Sequence, residues 1–148
     1  MMKKELWFDM DGTLANLKGI NGWLDYLHAE DTYPYENAQP LLNLSLLAHL
    51  LNQLQAQGWK IGIISWTSKN GSDIFNGEVA LVKVVWLHRH LKSVKWDKIN
   101  IVEYGTNKYK KCGGGILFDD ELENREEWKD IAYTPENILP VLKALRKS

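Results

Sequence analysis

Short apolar runs alternate along this chain with longer stretches of helical periodicity. Glu5–Phe8 is apolar and aromatic and runs into Asp-Met-Asp-Gly; residues 59–64, residues 98–104 and Ile116–Phe118 are also short and rich in aliphatic or aromatic side chains. Runs of this length, each stopped by a polar residue or a turn signal, read as buried strands. Between them, Leu42, Leu46, Leu47, His49, Leu50 and Leu54 recur at roughly helical spacing and predict a helix over 41–57, which Gly58 stops. A polar loop over 68–76 precedes a second amphipathic helix over 78–91, and 105–115 is a loop rich in glycine and lysine. Residues 121–128 predict a short helix and 130–133 a fifth, short strand. A final helix opens at Thr134-Pro135, with Thr134 as cap and Pro135 at the first helical position; Pro140 either kinks it or moves its start.

Strands that alternate with helices and are apolar throughout argue for a parallel sheet covered on both faces. The predicted fold class is α/β: a three-layer, Rossmann-like domain over 1–148 with a central, mostly parallel five-stranded sheet. Residues 16–40 interrupt the alternation as a small insert. They are mixed in polarity, contain Gly19, Gly22 and Pro34, and leave room for a short helix over 20–27. Trp23, Tyr26, Tyr33 and Tyr35 lie in this insert, where packing is the more ordinary use of such side chains and stacking on a ligand ring the sharper one.

Composition narrows the partners. The 148 residues carry a net charge of −1, which supplies no general field for nucleic acid or an anionic membrane surface. Cys112 is the single cysteine, so no internal disulfide can form, and a reducing, cytoplasmic setting is expected. No segment is apolar enough for a signal peptide or a membrane span. His28, His49, His88 and His90 have no spacing with cysteine or carboxylates that suggests zinc. The seven tryptophans are scattered singly and read as core or core-edge residues.

The polar residues that carry chemistry collect at strand ends, where ligands bind in open α/β sheets. After the first strand comes Asp9-Met10-Asp11-Gly12-Thr13-Leu14. Residues i and i+2 of an extended chain point the same way, so Asp9 and Asp11 can face one site. Two close carboxylates repel unless a proton or cation lies between them, and a hard divalent ion such as Mg²⁺ with oxygen ligands meets that demand. Ser65 follows the second strand and can offer a hydroxyl to phosphate. Lys108, Lys110 and Lys111 precede the fourth strand, and any one of them can offset negative charge. Asp119-Asp120 follows that strand and adds further metal oxygens. Singly, each feature has a plainer reading: a solvated turn, a helix cap, a basic loop.

Together and in this order they resemble the haloacid dehalogenase superfamily, whose first motif is Asp-x-Asp-x-Thr/Val. The resemblance implies a haloacid dehalogenase-like fold with a minimal cap formed by 16–40. It implies Asp9 as nucleophile, Asp11 as general acid and base, Ser65 as phosphate-binding hydroxyl and Lys108 as the motif lysine, with Lys110 and Lys111 as alternatives. It further implies that Asp119 and Asp120 hold Mg²⁺ together with Asp9 and the backbone carbonyl of Asp11. The spacing from Lys108 to Asp119 and the Asp-Asp pair resemble the small 5'(3')-deoxyribonucleotidase-like branch. The expected activity is hydrolysis of a small phosphomonoester, a nucleoside monophosphate being one candidate, through an aspartyl-phosphate. Two rivals are a non-catalytic regulatory module that binds metal and phosphate, and a polynucleotide end-processing phosphatase. The near-neutral charge counts against the second.

Overall fold

The runs that pattern alone marks as strands lie in one sheet. A computed structural model of the chain describes residues 3–146. Its elements are β1 (Glu5–Phe8), β2 (Ala15–Asn16), α1 (Trp23–His28), α2 (Tyr33–Asn37), β3 (Gln39–Pro40), α3 (Leu44–Ala56), β4 (Lys60–Trp66) and α4 (Asp73–His90). There follow β5 (Lys98–Val102), α5 (Lys108–Cys112), β6 (Ile116–Phe118), α6 (Leu122–Glu127), β7 (Ile131–Tyr133) and α7 (Ile138–Arg146). β1, β4, β5, β6 and β7 form a fully parallel sheet in the order β5-β4-β1-β6-β7. β1 is central. From it the chain builds out to β4 and β5, then returns to add β6 and β7 on the other side. That reversal places a topological switch point at the carboxyl ends of β1 and β6.

Pleating decides which layer each side chain joins. Leu6 and Phe8 of β1 and Ile61 and Ile63 of β4 enter one core with Leu47, Leu50, Leu51 and Leu54 of α3, Trp86 and Leu87 of α4, and Ile138 and Leu142 of α7. Trp7, Ile64 and Leu117 face the other way and pack with Trp128. Both faces are therefore covered, as continuous apolar strands require. Phe8 pairs with Phe118 and Phe118 with Tyr133 in register, and the three rings stack at 5.1 and 5.8 Å between centroids. This ladder ends one residue before Asp9 and Asp119.

The insert is tied at both ends. β2 and β3 pair antiparallel at its base, and Leu17 and Tyr35 pack against Phe75 and Val79 of α4. At the far end Glu30, in a left-handed backbone conformation (φ 53°), accepts hydrogen bonds from the Ser72 amide (2.7 Å) and hydroxyl (2.8 Å). Tyr26 and Tyr33 stack on each other at 4.9 Å, so these two rings are used for packing.

Local boundaries differ from the pattern where polar residues mask a helix start. α4 begins at Asp73, inside the expected loop, because Ser72 caps it by accepting from the Phe75 amide. α5 forms within the expected glycine-lysine loop: Asn107 caps it and Gly113 ends it in a left-handed conformation. α2 was outside the pattern altogether. The final helix starts at Ile138 after a 3-10 turn over Pro135–Asn137, which leaves Pro140 in its first turn, where no amide partner is needed. Among the described residues no helix is long and apolar enough to cross a membrane.

Candidate active site

The β1–β6 register brings Asp9 and Asp119 out of the sheet side by side, and a buried ammonium binds them. Lys108 Nζ donates to Asp9 Oδ1 at 3.0 Å and to Asp119 Oδ2 at 2.7 Å. The lysine opens α5 and is 2 % exposed, whereas Lys110 and Lys111 are exposed, so of the three lysines Lys108 is the one that meets the acids. Thr13 donates to the other Asp9 oxygen at 3.1 Å. Asp119 also accepts from the Glu121 amide and from Asn124 Nδ2. Gly12 turns the chain at φ 80°, and a Cβ there would collide with the Asp120 carboxylate.

A cleft of about 860 Å³ opens over these strand ends. Asp9, Asp11, Lys108 and Asp120 line its polar part, with Trp66 from the end of β4, Thr67 and Tyr104 from the loops after β4 and β5, and Trp23, Leu24 and Leu27 from the insert. Trp66 and Tyr104 lie ring against ring at 4.8 Å. Asp9, Asp119 and Asp120 each present a carboxylate oxygen, all within 4.8 Å of one another. Burial, then the charges of Asp9 and its neighbours, push the Asp119 carboxyl up to about 6 and that of Asp120 up to about 8, although Asp120 as a residue is exposed. Ionised together, three carboxylates against one ammonium would leave two uncompensated negative charges, which is why their protons are held. Asn124 Oδ1, buried at the cleft edge, has no partner among the described residues. An oxygen-only donor set with that charge suits a hard dication. Burial by itself favours neutral Lys108, but the adjacent Asp9 and Asp119 hold its pKa above the ordinary lysine value.

Two predicted site residues are placed differently from the rest. Asp11 gives no carboxylate oxygen to the acidic cluster. Its Oδ2 accepts from Lys83 Nζ at 2.8 Å. Burial, with Asp9 adding its charge, raises the Asp11 pKa, and Lys83 opposes the rise. Ser65 does not line the cleft. It follows Ile61 and Ile63 onto the α4 side of the sheet, where its hydroxyl accepts from Lys83 at 2.8 Å. Thr67, two residues on, does line the cleft, and its Oγ1 is buried with no partner among the described residues. Lys83 escaped the sequence reading. The only hint was a lysine sharing a helix face with Val79, Trp86 and Leu87, all of them buried.

No protein-family model matches the sequence, and no curated protein is significantly similar to it. Among solved structures, the D,D-heptose 1,7-bisphosphate phosphatase from Burkholderia thailandensis superposes with a TM-score of 0.58 over 99% of this chain and 100% of that one, at 13% identity. A likeness at that identity is one of fold. The chain has a haloacid dehalogenase-like fold. In a haloacid dehalogenase-like sheet of this order, the carboxyl ends of β1, β4 and β6 are neighbours. That adjacency is what collects residues 9, 67, 108, 119 and 120 around one cleft.

Proposed function

We propose that this protein is a magnesium-dependent phosphohydrolase acting on a small phosphomonoester through an aspartyl-phosphate on Asp9. The observation that carries the reading is the setting of Asp9: a cleft-lining carboxylate held by Lys108 and Thr13 beside two further acids. An ionised carboxylate attacks phosphorus without help from a base, but its repulsion from an anionic phosphate must be cancelled. Mg²⁺, held by Asp9, Asp119 and Asp120 with the Asp11 carbonyl, would supply positive charge for the phosphoryl oxygens. Lys108 adds its own positive charge beside the nucleophile.

In the first step a bond forms between an Asp9 oxygen and phosphorus, the ester P–O bond breaks, and the leaving oxygen takes a proton from the Asp11 carboxyl. In the second, Asp11 takes a proton from water, the hydroxide attacks phosphorus, and the bond to Asp9 breaks to give inorganic phosphate. Thr67, which lines the cleft and whose buried hydroxyl lacks a partner among the described residues, serves as the phosphate contact in place of Ser65. The insert acts as a small fixed cap. Trp23, Trp66 and Tyr104 along the cleft favour a leaving group with a flat face, and a nucleoside is one such group. The test is turnover of p-nitrophenyl phosphate with Mg²⁺ and with EDTA. The reading expects turnover that requires Mg²⁺ and is lost in Asp9→Asn. Wild-type protein without activity, or Asp9→Asn with full activity, sinks it.

A further inference from the structure

Two lysines are almost wholly buried among the described residues: Lys108 and Lys83. The first is absorbed by the phosphoryl chemistry above, and the second is not. Removing an ammonium from water costs several kcal/mol unless its donors are matched. Lys83, 1 % exposed, matches all three. It donates to Asp11 Oδ2 (2.8 Å), Ser65 Oγ (2.8 Å) and the Trp66 carbonyl (2.7 Å). Its Nζ also lies 5.2 Å from the centre of the Tyr35 ring, which the insert contributes. A lysine needed only for packing on this helix face would be replaceable by an apolar residue like its neighbours Val79, Trp86 and Leu87.

The choice of carboxylate is informative. Asp11 lies 72 positions away in sequence, on the turn after β1, with a side chain 29 % exposed. A carboxylate on such a turn is drawn to a dication among Asp9, Asp119 and Asp120. Lys83 instead pins Oδ2 outside that cluster. The other oxygen, Oδ1, is left without a protein partner among the described residues, on a side chain that lines the cleft. We infer that Lys83 is a positioning residue that keeps Asp11 out of the metal cluster and turned toward the leaving-group oxygen. The inference rests on the phosphatase reading, in which Asp11 protonates that oxygen.

Leaving-group dependence separates positioning from mere structural support. A p-nitrophenolate departs without a proton, whereas an alkoxide needs one. Lys83→Met, which keeps the bulk of the stem, is therefore expected to lower kcat on an alkyl phosphate at least tenfold more than on p-nitrophenyl phosphate, with KM little changed. Asp11→Asn should show the same selective loss, and adding Lys83→Met to it should not change the ratio of the two rates. Equal losses on both substrates in Lys83→Met overturn the inference. If that variant does not fold because the half-buried Asp11 is left unpaired, Asp11→Asn is compared with Asp11→Asn/Lys83→Met, which loses both charges together. A further change in the ratio there also overturns it, and an unchanged ratio supports it. Wild-type protein that turns over neither substrate overturns the phosphatase reading itself, and this inference with it.

Discussion

Replacing Lys108 by methionine isolates the electrostatics of the candidate active site. Methionine keeps most of the stem, so little cavity opens, and what is lost is one charge between two carboxylates. Those carboxylates lie 3.0 and 2.7 Å from the ammonium and are themselves buried. Breaking a buried ion pair by deleting one partner costs about 3–5 kcal/mol, because the remaining charge has neither water nor counter-charge. For a chain near 150 residues that corresponds to a fall in Tm of roughly 6–20 °C. The loss should shrink at pH 5, where Asp119 takes up a proton and relieves the repulsion. It should shrink again on adding Mg²⁺, which replaces the missing charge. Circular-dichroism melts of wild type and Lys108→Met in EDTA at pH 7.5, in EDTA at pH 5, and with Mg²⁺ at pH 7.5 give the three comparisons. A variant melting within about 2 °C of wild type in EDTA at pH 7.5, or a deficit indifferent to pH and Mg²⁺, refutes this account of the site.

Three further outcomes are expected. The folded-state pKa values of Asp119 and Asp120, about 6 and about 8, exceed the ordinary 3.8, so folded protein holds these protons more tightly than unfolded protein. Their stabilisation is full below about pH 4 and is lost as pH rises through 6 and 8. In EDTA, Tm should therefore slope downward over that range, and either Asp120→Asn or added Mg²⁺ should flatten the slope. Thr67→Val should raise KM for a phosphomonoester about tenfold, the worth of a hydrogen bond to a charged group, whereas Ser65→Ala should show its effect in the melting temperature as a loss of about 1–3 kcal/mol. Gly12→Ala sets a methyl against the Asp120 carboxylate at a φ unsuited to alanine and should weaken Mg²⁺ binding, measured by calorimetry, more than it weakens the fold.

The parts that sequence pattern made legible are those whose chemistry sits at the end of an apolar run. Asp9 follows Phe8 and Asp119 follows Phe118, and a reader who finds the strands finds the acids. The need for a cation near them left Lys108, Lys110 and Lys111 open, and only the family resemblance preferred Lys108; its short helix, invisible in a glycine-rich stretch, buries Lys108 beside the acids and leaves the other two exposed. Ser65 misled because the apolar run stops one residue before it, while the strand continues through Trp66. A serine still inside a strand obeys its alternation, and here alternation aims it at α4 and away from the cleft. Lys83 was hidden for a different reason. On an amphipathic helix a lone lysine reads as solvent-facing, and only the fold reveals that Asp11 awaits it.

The aromatic ladder through Phe8, Phe118 and Tyr133 carries a consequence for how errors in assembly would show themselves. Side chains on a strand alternate with a period of two, so sliding β1 by one position against β6 would exchange the fates of neighbours. Phe8 would leave the leucine layer for the opposite one around Trp7, Leu117 and Trp128, and the Asp9 carboxylate would be driven into the leucine layer. A misaligned molecule would carry a carboxylate in its apolar core, and the three rings stacked from the central strand to the edge strand make that slip costly before the acids are ever brought together.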